Sequence, residues 1–165
     1  MNKILRLVYN KTIEQSKKTF FFKKFSVPKN TNSRLELFQL NLIIILWYMR
    51  FSKINENHME LLISFFIKDL EFLLRESGEV ESRIGKKTRK LTENFYGRLY
   101  GYTPQFDKIE KKQKNDVKLK LRLNFDEDSI KFNKFYDYVK SNILYFSKLE
   151  SSAFLENKFN FLENE

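Results

Sequence analysis

The side chains that could do chemistry are few, and most of them are cations. One histidine and no cysteine leave no disulfide, thiolate metal site, cysteine nucleophile or cluster of imidazole ligands. His58 stands beside Asn57 and close to Glu60, where it reads as a surface or capping residue at the start of a helix. Asp126, Glu127 and Asp128 are adjacent, but in a turn setting where solvated charge is ordinary. Nothing pairs a nucleophile with a base. Four glycines and two prolines make a phosphate-cradling glycine loop improbable. The sequence therefore predicts no catalysis, no metal site, no cofactor and no small-molecule substrate. What remains is the series Arg83, Lys86, Lys87, Lys90 and Arg98. Its chemistry is attraction of an anion: RNA phosphate, lipid headgroups or an acidic protein face.

Those cations need a scaffold, and 165 residues at 20.1 kDa are enough for one domain with its own core. Apolar periodicity predicts an amphipathic helix over 3–18 and a helix to about residue 52 that is apolar nearly all round, as only a central helix can be. Thr31, Asn32 and Ser33 offer it an N-cap, with Glu36 completing a capping box from Ser33. Asn55 or Asn57 caps a third helix, which Ser77-Gly78 stops, and Ser82 caps a fourth that runs to about Tyr100. Gly101-Tyr102-Thr103-Pro104 then breaks the chain. Residues 117–125 alternate apolar and polar like a strand, yet no second strand-like segment exists to pair with them. They are assigned to a helix. Asp126 to Ser129 caps the next helix, and a last short helix or turn holds Phe154, Phe159 and Phe161. The prediction is an all-α single globular domain over 1–165, with six or seven helices.

The longest apolar run, 42–49, is far too short to span a bilayer, and the first residues, lacking a sustained apolar stretch, predict no secretory signal. The expected location is the cytoplasm. Lys17 to Lys24, with Phe20, Phe21 and Phe22 between basic pairs, has the composition of an interfacial membrane anchor; core packing of the phenylalanines is the preferred reading. Aromatic residues make up 16% of the chain, which suggests more aromatic surface than the core takes up and so an exposed binding patch.

The net charge of +10 is unevenly spread. Residues 1–29 carry +7, 56–82 carry −5, and 83–98 and 108–122 carry +5 each. On a helical wheel, Ile84, Leu91, Phe95, Leu99 and Tyr102 form one face of the fourth helix. Arg83, Lys86, Lys87, Lys90 and Arg98 fall on the opposite side within an arc of roughly 120°. Such a stripe is either a solvated face or a docking strip. Asp69, Arg75 and Glu76, just before it, look like partners in ion pairs.

Four short pieces carry a specific pattern: 65–71 (Phe-Phe-Ile-Lys-Asp-Leu-Glu), 74–78 (Leu-Arg-Glu-Ser-Gly), 84–90 (Ile-Gly-Lys-Lys-Thr-Arg-Lys) and 95–98 (Phe-Tyr-Gly-Arg). Together they resemble the ubiquinol–cytochrome c chaperone family, with its phenylalanine-rich helix, Leu-Arg-Glu-x-Gly ending, basic helix and Phe-Tyr-Gly-Arg signature. Residues 33–102 are the most specific part. Tyr9, Gln15, Ser16, Phe20 to Phe22, Val27, Pro28, Thr31, Arg34, Leu37 and Arg50 resemble the family's N-terminal half, and 138–140 (Tyr-Val-Lys) more weakly its Tyr-Val-Arg helix. Asn41 stands where bacterial members commonly have histidine, and the Gly-Val-Gly-Asp-like turn is only partly kept at 77–80. The likeness begins within the first ten residues, which leaves no room for a transit peptide and points to a bacterial member, from an α-proteobacterium.

The resemblance implies a non-enzymatic assembly chaperone for the cytochrome bc1 complex, part of the respiratory chain. Its partners would be newly made cytochrome b or another bc1 subunit, with a small partner protein, the ribosome and peripheral contact with the inner membrane as further candidates. Lys86, Lys87, Lys90 and Arg98 are the predicted docking residues. Phe95, Tyr96 and Gly97 shape the predicted signature surface, where Gly97 would let a partner backbone approach closely. The alternative is a basic helical RNA- or DNA-binding protein, although the chain lacks compact helix-turn-helix spacing and aromatic sheet motifs.

Overall fold

The computed structural model describes residues 1–163. Eight helical segments follow in order: α1 (Asn2–Ser16), α2 (Phe20–Lys23), α3 (Thr31–Phe51), α4 (Glu56–Glu76), α5 (Glu81–Glu110), α6 (Val117–Phe125), α7 (Phe132–Ser147) and α8 (Ser151–Leu155). Because α2 is a single four-residue turn, the architecture is seven helices and a turn, all-α as the sequence predicts. There is no strand among the described residues.

Helix α3 is the axis. Every residue from Gln39 to Met49 is buried, and α1, α4, α5, α6 and α7 all pack against it. A helix apolar on all sides is stable only when surrounded in this way. No helix of the structure, among the described residues, is long and apolar enough to cross a membrane. Asn41 is the polar exception inside α3. It accepts from the Tyr138 hydroxyl at 2.6 Å and donates to the Ser16 hydroxyl at 2.9 Å, while Gln15 donates to Tyr138 at 3.2 Å. Buried polar groups are tolerated when their hydrogen bonds are made, and this network ties α1, α3 and α7 together.

Several helix ends differ from expectation. The cap of α3 is Asn30, whose side chain accepts from the Ser33 backbone N–H at 2.8 Å; Ser33 is buried instead of capping. Helix α4 starts as predicted, with Asn55 accepting from the Asn57 N–H at 2.8 Å. It also stops as predicted. Gly78 takes φ +82°, the N–H of Gly78 reaches the Arg75 carbonyl at 3.1 Å and that of Glu79 reaches Leu74 at 3.1 Å, the paired bonds of a glycine-terminated helix. Ser82 is not a cap, because Val80 already occupies that position in extended backbone. Asp126 closes α6 in the left-handed region (φ 49°), and α7 begins only at Phe132, after Lys131 donates its N–H to the Phe25 carbonyl at 2.8 Å.

The predicted break at 101–104 does not occur. Helix α5 runs through Pro104 for 30 residues, about 45 Å. Proline removes one helical N–H and crowds the carbonyl four residues back. Here that carbonyl belongs to Tyr100, and both residues lie on the exposed side, where water can serve the freed oxygen. Tyr102, Thr103, Phe106 and Ile109 hold the opposite side in the core.

The alternation in 117–125 also resolves. Val117, Leu121 and Phe125 are buried, whereas Leu119 and Leu123 are 50% and 65% exposed. Two i, i+4 sets pointing opposite ways read as period two on paper.

Phe20 and Phe21 are buried and pack with Phe25, Phe135 and Tyr138, so the Lys17–Lys24 segment spends these rings on the core. The C-terminal segment does likewise. Phe154, Phe159 and Phe161 enclose Tyr48 and Phe146, and the Asn142 amide brackets Leu162 through both of its backbone groups at 3.0 and 2.8 Å. Aromatic surplus is thus a misreading of the composition. Among the described residues only Phe51, Phe72 and Tyr100 are exposed aromatics.

Candidate partner-binding surface

Helix α5 carries every residue that the sequence singles out for binding. Its inward stripe is as predicted: Ile84, Phe95 and Tyr102 are buried, and Leu91 and Leu99 are half-buried. Its outward side divides into two stretches.

The N-terminal stretch is cationic. Arg83, Lys86, Arg89 and Lys90 are exposed, and none is within ion-pair distance of a carboxylate among the described residues. Lys87 is also exposed but is bonded to Glu79, and that hydrogen bond is the main cause holding the Glu79 carboxyl below its ordinary range.

The middle stretch holds the Phe-Tyr-Gly-Arg signature, whose four residues go four ways. Phe95 is fully buried against Phe66, with ring centroids 4.9 Å apart. Tyr96 is half-buried and stacks on the exposed Tyr100 at 6.0 Å. Gly97 is exposed, and a Cβ built there would meet nothing within 4 Å. Arg98 turns inward. Its Nε lies 3.2 Å from both carboxylate oxygens of Glu36 and its second guanidinium nitrogen 2.9 Å from one of them, a fork-shaped pairing. These bonds raise the Arg98 pKa above its ordinary value. Of the four residues predicted for docking, the structure therefore leaves Lys86 and Lys90 free, pairs Lys87 at the surface and places Arg98 in a half-buried ion pair.

Beside this pair lies a cleft of about 300 Å³ between α3, α4, α5 and the end of α6. Phe66, Leu70 and Leu91 give it an apolar wall, and Asn94 and Asn124 give it amides. The other cationic stretch, 108–122, falls around the α5–α6 turn, where Lys108, Lys112 and Lys114 border an open hollow with Asp116 and Tyr136.

Sequence reasoning missed two long-range contacts. Glu36, expected in a capping box, instead meets Arg98. Asp69 was assigned to an ion pair, yet it accepts a 2.6 Å hydrogen bond from Tyr9. Burial, then that bond, holds the Tyr9 hydroxyl well above the usual tyrosine range. Arg75 instead bridges Glu71 and Glu81 at 3.9 and 3.1 Å, and Glu76 takes no part. One signal was available for Arg98. On the wheel it lies roughly 20° from Leu91, at the edge of the cationic arc nearest the core.

Among the described residues the chain is all-helical, and α5 carries an exposed cationic stretch at its N-terminal end. The sequence pattern of the family described as Ubiquinol-cytochrome C chaperone matches residues 23–161, and the chain belongs to that family. The fold is similar to the crystal structure of the Cbp3 homolog from Brucella abortus, with a TM-score of 0.82 and 21% identity over 98% of this chain and 90% of that one. No curated protein sequence matches the chain.

Proposed function

We propose that the protein is a non-catalytic chaperone in assembly of the cytochrome bc1 complex, with newly made cytochrome b as its client. Membership of the chaperone family supports the process, and the division of α5 supports the mechanism. The stretch of Tyr96, Gly97 and Tyr100 offers a nascent apolar segment a place to rest. The cations before it bind an anionic platform. The single observation that carries this reading is that Arg83, Lys86, Arg89 and Lys90 are exposed on one helix and, among the described residues, unpaired.

The variant Lys86→Glu/Lys90→Glu breaks no ion pair, so the protein keeps its fold by circular dichroism. Co-purification of cytochrome b with the tagged protein from its own cells is expected to fall at least about tenfold; unchanged recovery refutes the docking role. The same four cations also suit RNA. That reading requires the logarithm of affinity for an rRNA fragment to fall linearly with the logarithm of salt concentration, and absence of binding at low salt removes it.

A further inference from the structure

The far end of the α4–α5 hairpin has no core beneath it. No side chain of α4 is buried beyond Leu70, and none of α5 is buried before Ile84. The last six residues of α4 alone extend roughly 9 Å past that point. Leu73 follows Phe66 by seven positions and so continues the core-facing stripe, yet it is 58% exposed; Phe72 is 60% exposed and Val80 59%. Singly exposed apolar residues are ordinary. Three large ones within nine residues of one hairpin tip are a concentration that suits an interaction site.

The charges behind this tip are unequal. Glu71 and Glu81 are bound to Arg75, and Glu79 to Lys87. Four acids, Glu71, Glu76, Glu79 and Glu81, thus share two cations, which leaves two negative charges at the tip against four cations, Arg83, Lys86, Arg89 and Lys90, that have no carboxylate partner among the described residues. These four lie roughly 5 to 15 Å along α5 from Val80. Apolar side chains of interfacial proteins sit about 5–10 Å into the boundary between headgroups and acyl chains, which puts the nearer cations at the level of lipid phosphates.

We propose that the tip of the α4–α5 hairpin docks on a membrane surface rich in anionic lipid, with Phe72, Leu73 and Val80 inserted and Arg83, Lys86 and Lys90 among the headgroups. This rests on the reading of α5 as a docking face and names the platform. RNA phosphates would satisfy the cations and leave the apolar tip in water. An anionic bilayer satisfies both.

The test is co-flotation of the full chain with vesicles of phosphatidylcholine containing phosphatidylglycerol, and with phosphatidylcholine alone. Binding is expected only to the anionic vesicles. Phe72→Ser/Leu73→Ser should weaken it at least tenfold, and Lys86→Gln/Lys90→Gln by about twenty-five-fold at low salt, each cation near the surface being worth about fivefold. Leu119→Ser/Leu123→Ser, an equally exposed apolar pair elsewhere, should leave it unchanged. Failure of the wild type to bind anionic vesicles, indifference to Phe72→Ser/Leu73→Ser, or equal loss with the Leu119/Leu123 variant overturns the proposal. If vesicles are not bound but Lys86→Glu/Lys90→Glu still loses cytochrome b, the platform is a protein or RNA. The docking reading then survives and the membrane assignment fails.

Discussion

The two ends of the α4–α5 hairpin are built from the same helices and differ in what surrounds their charges. In the seated end, Asp69 and Arg98 face partners on other helices, Tyr9 on α1 and Glu36 on α3, and both contacts are partly buried. In the overhanging end, the ion pairs of Arg75 and Lys87 close only within the hairpin. A partly buried pair holds two elements together and is costly to break from one side. A solvent-exposed pair contributes little. Here the exposed pairs occupy acids that would otherwise neutralise the neighbouring cations, so one end is fastened and the other keeps exposed positive charge.

The comparison can be broken most forcefully at Arg98. Arg98→Met leaves the Glu36 carboxylate half-buried without its partner and should cost about 2 kcal/mol in urea unfolding. Glu36→Gln/Arg98→Met should recover part of that loss, since no uncompensated charge remains. Tyr9→Phe comes next, at about 1.5 kcal/mol for a hydrogen bond to a charged acceptor. It also carries a pH signature. The folded state holds the Tyr9 hydroxyl above the ordinary value near 10, so its contribution is complete below about pH 10 and is lost as pH rises beyond it. Stability of the wild type should therefore fall more steeply above pH 10 than that of Tyr9→Phe.

Gly97→Leu tests the uncharged stretch in the opposite direction. With open space around the position, helix propensity should raise stability by about 0.7 kcal/mol, while cytochrome b capture declines. A gain in stability with full capture would remove Gly97 from the contact surface. The smallest effect belongs to the overhang: Lys87→Met should leave the urea midpoint where it is. Amide exchange sharpens the same contrast, with faster exchange at 72–76 and 81–83 than along 62–70 and 95–106.

Much of this was legible in the sequence where the signal is local. The inward stripe of α5, the Gly78 stop, the Asn55 cap and the all-apolar α3 are each set by residues within a few turns of one another. The Phe-Tyr-Gly-Arg motif was legible as a motif, but the separate fates of its residues were not. Arg98 and Lys86 are both cations on one arc, and what distinguishes them is Glu36, 62 positions away. Pro104 misled because proline is a breaker only when the freed carbonyl has no other recourse, and exposure decides that. The aromatic content misled because the fold brings Phe20, Phe21, Phe25 and Phe135 together from distant parts of the chain, a demand for aromatic volume that composition does not reveal.

Because α5 is one continuous helix from Glu81 to Glu110, it acts as a ruler. Lys86 and Tyr100 are separated by fourteen steps of one stiff rod, roughly 21 Å, and no joint between them lets that interval shrink. Whatever is gripped at the tyrosine is kept at a set height above whatever is gripped at the lysine. On the proposed reading the spacing between cargo and support is written into the length of a single helix, and inserting or deleting residues there would change both the interval and the facing of the two grips.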